Sequence, residues 1–140
     1  MRAIRFSIES RLENLAILGV AIRAVCSQAG MDETDSYQSE LAVIESATNA
    51  IKYAYGNKPG YQVDVILTVD QGKIEFRVED SGAPMKSNGK SWTDFDPMKT
   101  GSLPESGMGL YIVRQTMDEV SYGSVDGRNV MTMARYLKET

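Results

Sequence analysis

The chain has no histidine in its 140 residues. Imidazole bases, the commonest zinc ligand and a phosphohistidine are therefore absent from its own chemistry, and any general base must be a carboxylate or a weaker group. Cysteine occurs once, at Cys26, so no internal disulfide can form. That residue lies on an apolar helical stretch and reads as a buried filler in a reducing compartment. No apolar run is long enough to cross a bilayer, and the opening MRAIRFSIES breaks its apolar residues with charge. A cytoplasmic location with no membrane contact is the expectation. Basic residues are not in excess either, since 15 Lys and Arg face 19 Asp and Glu for a net charge of −4. Direct binding to nucleic acid needs a basic face, which this composition does not supply.

What is present is ordinary for one globular domain, with 42% hydrophobic and 24% charged residues. The whole span 1–140 reads as one domain with no internal repeat and no linker. Ala3 to Ile8 alternates as a strand, with Ile4, Phe6 and Ile8 on one side. Ser10 and Glu13 have the spacing of a capping box for the helix that follows. Leu15, Leu18, Ile22, Val25 and Cys26 form its apolar face, and Gly30 is its stop. A second helix is expected from near Ser36 to the turn GNKPG.

Within that helix lies ELAVIESATNAIKYAY, residues 40–55. Leu41, Ile44, Thr48, Ile51 and Tyr55 recur at helical spacing and predict the buried stripe. On its edge Glu45, Asn49 and Tyr53 stand four apart and predict one row along the helix. A carboxylate and a carboxamide one turn apart offer hard oxygen ligands, suited to magnesium or to an activated hydroxyl.

Two strands should follow. Val63, Val65, Leu67 and Val69 alternate, Gln71-Gly72 turns, and Ile74, Phe76 and Val78 return. Asp80-Ser81-Gly82 ends the second strand. Residues 83–106 are polar and broken by glycine and proline, yet hold Trp92, Phe95 and Met98, so they read as a cover over a site. Gly107-Met108-Gly109 opens a helix carrying Leu110, Ile112, Val113 and Met117, a start that leaves backbone N–H groups open to an anion. Val120 to Tyr122 and Val130 to Tyr136 close the chain as a hairpin around Asp126-Gly127. The expected fold class is α+β, a two-layer sandwich with helices on one face of a mixed, mostly antiparallel sheet.

Each motif alone has a bland explanation, but their order is informative. ESATN, EDSGAP and ESGMGLYIV resemble the asparagine box and the two glycine boxes of the GHKL ATPase superfamily, the group of gyrase, histidine kinases and MutL. The likeness spans nearly the whole chain. TNAIKYAY, FDP, QTMDEVSY and GRNVMTM are most similar to the small, free-standing anti-sigma-factor serine/threonine kinases. The resemblance implies ATP and Mg2+ as cofactors, with Asn49 holding the metal and Glu45 acting as catalytic base on the attacking hydroxyl. It implies that Asp80 accepts the adenine amino hydrogen and that Gly82 lets the purine approach the backbone. Gly107, Met108, Gly109 and Leu110 would serve the phosphates, with Lys52 and Thr132 as further nucleotide contacts and residues 83–106 as the ATP lid. It also implies a homodimer that sequesters a sigma factor and phosphorylates a small anti-anti-sigma protein of the STAS type.

Three positions depart from that pattern. Tyr53 stands where relatives commonly carry histidine, and Glu105 where some carry a basic residue that reaches the terminal phosphate. Asn129-Val130 replaces a Gly-Thr pair that supports adenine, with Thr132 two residues further on. A nucleotide-dependent binding module with weak or no transfer is the alternative these departures keep open. Lys86, Lys90 and Lys99 are the candidates for the missing positive charge.

Overall fold

The computed structural model describes residues 2–85 and 108–138. Its elements are β1 (Arg2–Glu9), α1 (Leu15–Gln28), α2 (Glu33–Asn49), a π-helical turn (Ala50–Ala54), β2 (Gln62–Asp70), β3 (Lys73–Asp80), α3 (Met108–Thr116), β4 (Glu119–Val125) and β5 (Arg128–Tyr136). The strands form one sheet in the order β1-β2-β3-β5-β4. Every described pairing is antiparallel, so among the described residues the sheet is antiparallel throughout rather than mixed. Alternation along the strands sends Val63, Val65, Leu67, Ile74, Phe76, Val78, Met131 and Met133 into a core shared with the helices. The helices therefore cover one face, with α2 packed between α1 and α3. This is the α+β two-layer architecture expected from the element order. The cover read over 83–106 lies outside the described residues apart from its first three.

Helix boundaries follow capping chemistry rather than the first apolar residue. Asp32 caps α2, its carboxylate accepting from the Asp35 N–H at 2.7 Å. The helix thus starts at Glu33 rather than at Ser36, and Ser36 is buried one turn inside. Ser10 does not cap α1. Its hydroxyl donates to the Lys58 carbonyl at 2.7 Å and accepts from the Tyr61 N–H at 3.1 Å, tying the end of β1 to the turn before β2. A short 3-10 turn, Leu12–Asn14, enters α1 instead, without a side-chain cap. Gly30 ends α1 with φ +100°, a conformation that costs glycine little.

Of the predicted stripe, Ile51 and Tyr55 just past α2 are buried as expected, but within α2 the buried side differs. Ser36, Ser39, Ala42, Val43, Ser46 and Ala47 are buried, while Leu41, Ile44 and Thr48 are only half-buried. A helix enclosed by the sheet and two other helices needs small side chains where it is crowded most. Its bulkier residues fall on the flanks. The serines are satisfied internally, Ser39 donating to the Met31 sulfur and Ser46 to the Met133 sulfur, each at 3.4 Å.

One ionic network joins the sheet to the helices and another joins the strands to each other. Arg135 at the end of β5 meets the Asp35 carboxylate at 2.6 Å and donates to the Thr116 carbonyl, joining the start of α2 to the end of α3. On the open face of the sheet, Arg128 donates to Asp64, to Glu79 at 3.2 Å and to Ser81 at 3.0 Å. Asp64 also accepts from Ser7 at 2.6 Å and Gln62 at 2.7 Å, so this nearly inaccessible carboxylate is fully partnered. Burial raises its pKa, but the donors from Ser7, Gln62 and Arg128 outweigh that and hold it low. Among the described residues no helix is long and apolar enough to cross a membrane.

Candidate nucleotide site

The last turns of α2 are the hub of the site. Glu45 is half-buried and faces the first turn of α3, where a Cβ on Gly109 would lie 2.8 Å from Glu45 Oε2. Any larger residue at 109 would push the carboxylate aside. Glycine here brings a candidate base against the positive end of a helix, where backbone N–H groups are unsatisfied. One turn beyond Glu45, Asn49 is buried, and its amide nitrogen has no hydrogen-bond partner among the described residues. An unpaired buried donor is unfavourable unless something arrives to accept from it.

Immediately after Asn49 the helix widens. Tyr55 donates its N–H to the Ala50 carbonyl, five residues back, at 3.0 Å. The π-helical register turns fewer degrees per residue, so Tyr53 leaves the row begun by Glu45 and Asn49. Tyr53 is 44% exposed, and the predicted three-member row stops at two. Lys52 lies on the same turn and is exposed.

The π turn also determines where β3 ends. The Ala54 carbonyl accepts from the Ala83 N–H at 2.9 Å. A Cβ on Gly82 would lie 2.4 Å from that same oxygen, a distance no side chain tolerates. Glycine at 82 is thus required by the backbone of the π turn, a constraint different from the approach of a purine. Tyr55 adds a third tie, its hydroxyl accepting from the Ser81 N–H at 2.8 Å and donating to the Gln62 carbonyl at 2.7 Å. These contacts tie the turn that follows Asn49 to the turn that holds Asp80.

Asp80 closes β3 with its side chain on the helix side of the sheet. Its Oδ1 accepts from the Gly82 N–H at 2.9 Å and from Asn129 Nδ2 at 2.7 Å. Burial raises the Asp80 pKa above the ordinary carboxylate value, and the Asn129 and Gly82 donors together with the Arg128 charge only partly offset it. Asn129 is Asp80's direct cross-strand partner, and Thr132 is that of Arg77. Because strand residues alternate faces, Thr132 points to the opposite side of the sheet from Asp80. Thr132 and Asp80 thus stand on opposite faces, and Asn129 is the β5 residue beside Asp80.

From sequence Tyr55 reads only as part of the apolar stripe, and Asn129 only as a departure from the Gly-Thr pair that supports adenine. The Asn129 signal was available, since Met131 and Met133 point inward and alternation puts 129 inward with them. Leu110 has its side chain fully buried in the core, so only its backbone can face a ligand. Met108 is the first residue of α3, and Gly107 lies outside the described residues. Glu105, Lys86, Lys90 and Lys99 lie outside them as well.

Among the described residues no cluster of three or more acidic, cysteine or histidine groups could cage a metal. Magnesium carried on a nucleotide needs only one or two protein oxygens, the phosphates and water supplying the rest. Asn49 offers one hard oxygen, with Glu45 a turn away, which fits that mode.

The chain matches the family model described as the histidine kinase-like ATPase domain over residues 8–135. It is 25% identical over 138 residues to the serine-protein kinase RsbW of Bacillus thuringiensis, covering 96% of this chain and 85% of the relative. The RsbW of Bacillus mycoides is 25% identical over 140 residues with the same coverage. Among solved structures, the RsbU and RsbW domains of Rv1364c from Mycobacterium tuberculosis align with a TM-score of 0.71 and 14% identity. That alignment covers all of this chain and 34% of the other, so this chain spans about a third of that protein.

Proposed function

The chain belongs to the histidine kinase-like ATPase domain family, and from that premise we propose that it is an ATP-dependent serine/threonine kinase and anti-sigma factor. It binds a sigma factor in one state and phosphorylates a small STAS-type anti-anti-sigma protein in another, acting in the cytoplasm. The observation that carries this reading is the contact between Glu45 and Gly109, a carboxylate held against the first turn of α3. A phosphoryl acceptor needs a base beside the place where backbone N–H groups hold the terminal phosphates, and little other covalent chemistry. Similarity to proteins named serine-protein kinase RsbW supports the same activity.

In this reading Asn49 would hold Mg2+, which would supply positive charge to the phosphates. Glu45 takes the proton from the attacking serine or threonine hydroxyl. Asp80 accepts a hydrogen from the adenine amino group, and Asn129 stands in the place assigned from sequence to Thr132. The first turn of α3, with Gly107, Met108, Gly109 and the Leu110 backbone, donates to phosphate oxygens, and Lys52 adds positive charge at the rim. Residues 83–106 act as the lid. The protein pairs as a homodimer through the outer edge of β1 and the adjoining face of α1, where Ile17 is 75% and Val20 65% exposed.

A second reading is supported by Glu105, whose sign is wrong for a residue contacting the terminal phosphate. There the protein binds ATP or ADP and switches partners without efficient transfer. One experiment separates the two. The protein is incubated with γ-labelled ATP and the STAS proteins of its own cell, with nucleotide binding measured in parallel. Label on a STAS serine or threonine supports the kinase; bound nucleotide without label supports the switch; neither one would sink both.

A further inference from the structure

We propose that Asn129 is a positioning residue for the base-recognising carboxylate, fixing Asp80 so that Oδ1 is held within the protein and Oδ2 is offered to the base. The inference rests on the nucleotide-site reading above. Asn129 sits at a core-facing position of β5, in line with Met131 and Met133, and is 1% exposed. Its amide nitrogen donates to Asp80 Oδ1 at 2.7 Å and to the Gly82 carbonyl at 2.9 Å, with the Ala83 carbonyl at 3.4 Å. The orientation of the amide is dictated by these neighbours. A flipped carboxamide would set its oxygen against three acceptors, which no hydrogen-bond network allows.

The other end of the side chain shows what the residue is for. Asn129 Oδ1 is buried and has no hydrogen-bond partner among the described residues. A residue chosen for packing at this place would be apolar and leave no orphan acceptor. What Asn129 supplies is the donor, directed at Asp80 and at the turn that follows it. Both hydrogen bonds described for the Asp80 carboxylate fall on Oδ1, one from Gly82 and one from Asn129. A carboxylate gripped by one oxygen keeps a fixed rotamer, which is the preorganisation a base-selective contact needs.

The charges felt by Asp80 limit other sources of pH dependence. Arg128, next to Asn129 on β5, stays cationic, held so by Asp64 and Glu79. Tyr55 from the π turn and Tyr122 from β4 interact electrostatically with Asp80, and burial keeps both phenols neutral well above physiological pH. Asp80, its pKa raised chiefly by burial, is therefore the group at this contact whose protonation is followed from neutral pH down into the acidic range.

The test uses the full chain and the isosteres Asn129→Asp and Asn129→Leu, with binding of a non-hydrolysable ATP analogue measured by calorimetry across that range. In Asn129→Asp two carboxylates face each other, and binding at neutral pH should fall roughly tenfold or more. As pH drops the pair takes up one shared proton, the O–H···O bond replaces the N–H···O bond, and affinity recovers. The natural protein should trend the other way, weakening as Asp80 protonates. Asn129→Leu should be weak throughout, and NMR of the Asp80 carboxyl carbon should show its pKa raised by loss of the donor. Wild-type affinity in Asn129→Asp at neutral pH, or an Asp80 titration unmoved in Asn129→Leu, would overturn the proposal. If the Asp80 titration moves but the natural protein binds no adenine nucleotide, the nucleotide-site reading falls, and the base-facing half of the proposal with it.

Discussion

Glu45 Oε2 lies where a Cβ on Gly109 would come within 2.8 Å, so the α2 carboxylate and the first turn of α3 are matched to the absence of a side chain. The obstructing atom is the end of a flexible side chain, so Gly109→Ala should fold and displace Glu45 instead of the helix. Transfer of labelled phosphate should drop by about tenfold or more, because general-base catalysis contributes about 10²–10⁴-fold. Affinity for ATP should change only a few fold. Glu45→Ala should abolish transfer with the same modest effect on binding. Rapid transfer by Glu45→Ala would remove this carboxylate from the role of base.

Gly82→Ala should behave differently from Gly109→Ala, because its obstacle is backbone. The new Cβ would meet Ala54 O at 2.4 Å and Ala54 C at 2.6 Å. Relief requires moving the π turn or the end of β3, at about 1–3 kcal/mol of stability. Urea unfolding should show that loss, and nucleotide binding should fall with it because Asp80 shares the turn. A Gly82→Ala protein as stable as the natural one would mean that the ties between Ala54 and residues 82–83 are not structural.

Cys26 tests the sequence reading of the lone thiol. It is fully buried, and burial together with the nearby Glu40 carboxylate pushes its pKa up to about 12. Thiolate is the reactive form, so at mildly alkaline pH almost none is present and none is accessible. Native protein should resist a thiol-specific reagent, with reaction appearing only at the rate of unfolding. Prompt labelling under native conditions would show α1 opening on its own.

Periodicity and turn chemistry carried the fold a long way. Alternation at Val63, Val65 and Leu67 and at Ile74, Phe76 and Val78 is the alternation of the buried face, and the Asp126-Gly127 turn joins β4 to β5 with positive φ at both residues. What stayed hidden depended on crowding and on local register. Ile51 and Tyr55 of the predicted stripe are buried, but Leu41, Ile44 and Thr48 are not, because a helix packed between two others buries its serines and alanines, which hydropathy does not mark. Ser10 had the spacing of a cap but was engaged by the turn at Lys58 and Tyr61, a contact 48 residues away in sequence. The π turn has no sequence signature here, and it alone removes Tyr53 from the row of Glu45 and Asn49. Thr132 was tied to the closing pair by its two-residue spacing from Val130, but Met131 and Met133 point inward, so parity puts 130 and 132 on the other face from Asn129.

Asp80→Asn separates function from stability. The folded-state pKa of Asp80 is raised, burial being the largest cause. A group with a raised folded pKa favours the folded state below its unfolded pKa and loses that contribution as pH rises through the folded value. At neutral pH the ionised, buried Asp80 is therefore a liability. Asp80→Asn should have a Tm at neutral pH above that of the natural protein, and the difference should shrink as pH falls into the carboxylate range. Adenine nucleotide binding should weaken strongly in the same variant. A neutral-pH Tm below that of the natural protein would mean that the bonds from Gly82 and Asn129 outweigh burial.

The two carboxylate anchors at the start of α2 allow a contrast between buried and exposed ion pairs. Asp35 meets Arg135 at 2.6 Å, with side-chain exposures of 6% and 14%. Asp35→Ala would leave Arg135 with its charge nearly enclosed and only the Thr116 carbonyl as a described acceptor, which by precedent costs about 3–5 kcal/mol. Lys138 also reaches Asp35, at 3.4 Å, and Asp32, at 3.3 Å, but its side chain is 70% exposed. Lys138→Ala should cost far less than Asp35→Ala, and added salt should erase even that. Denaturant unfolding of both variants at low and high ionic strength checks the ordering. If the Asp35→Ala loss proved as small and as salt-sensitive as that of Lys138→Ala, Arg135 would not be the clamp joining α2, α3 and β5.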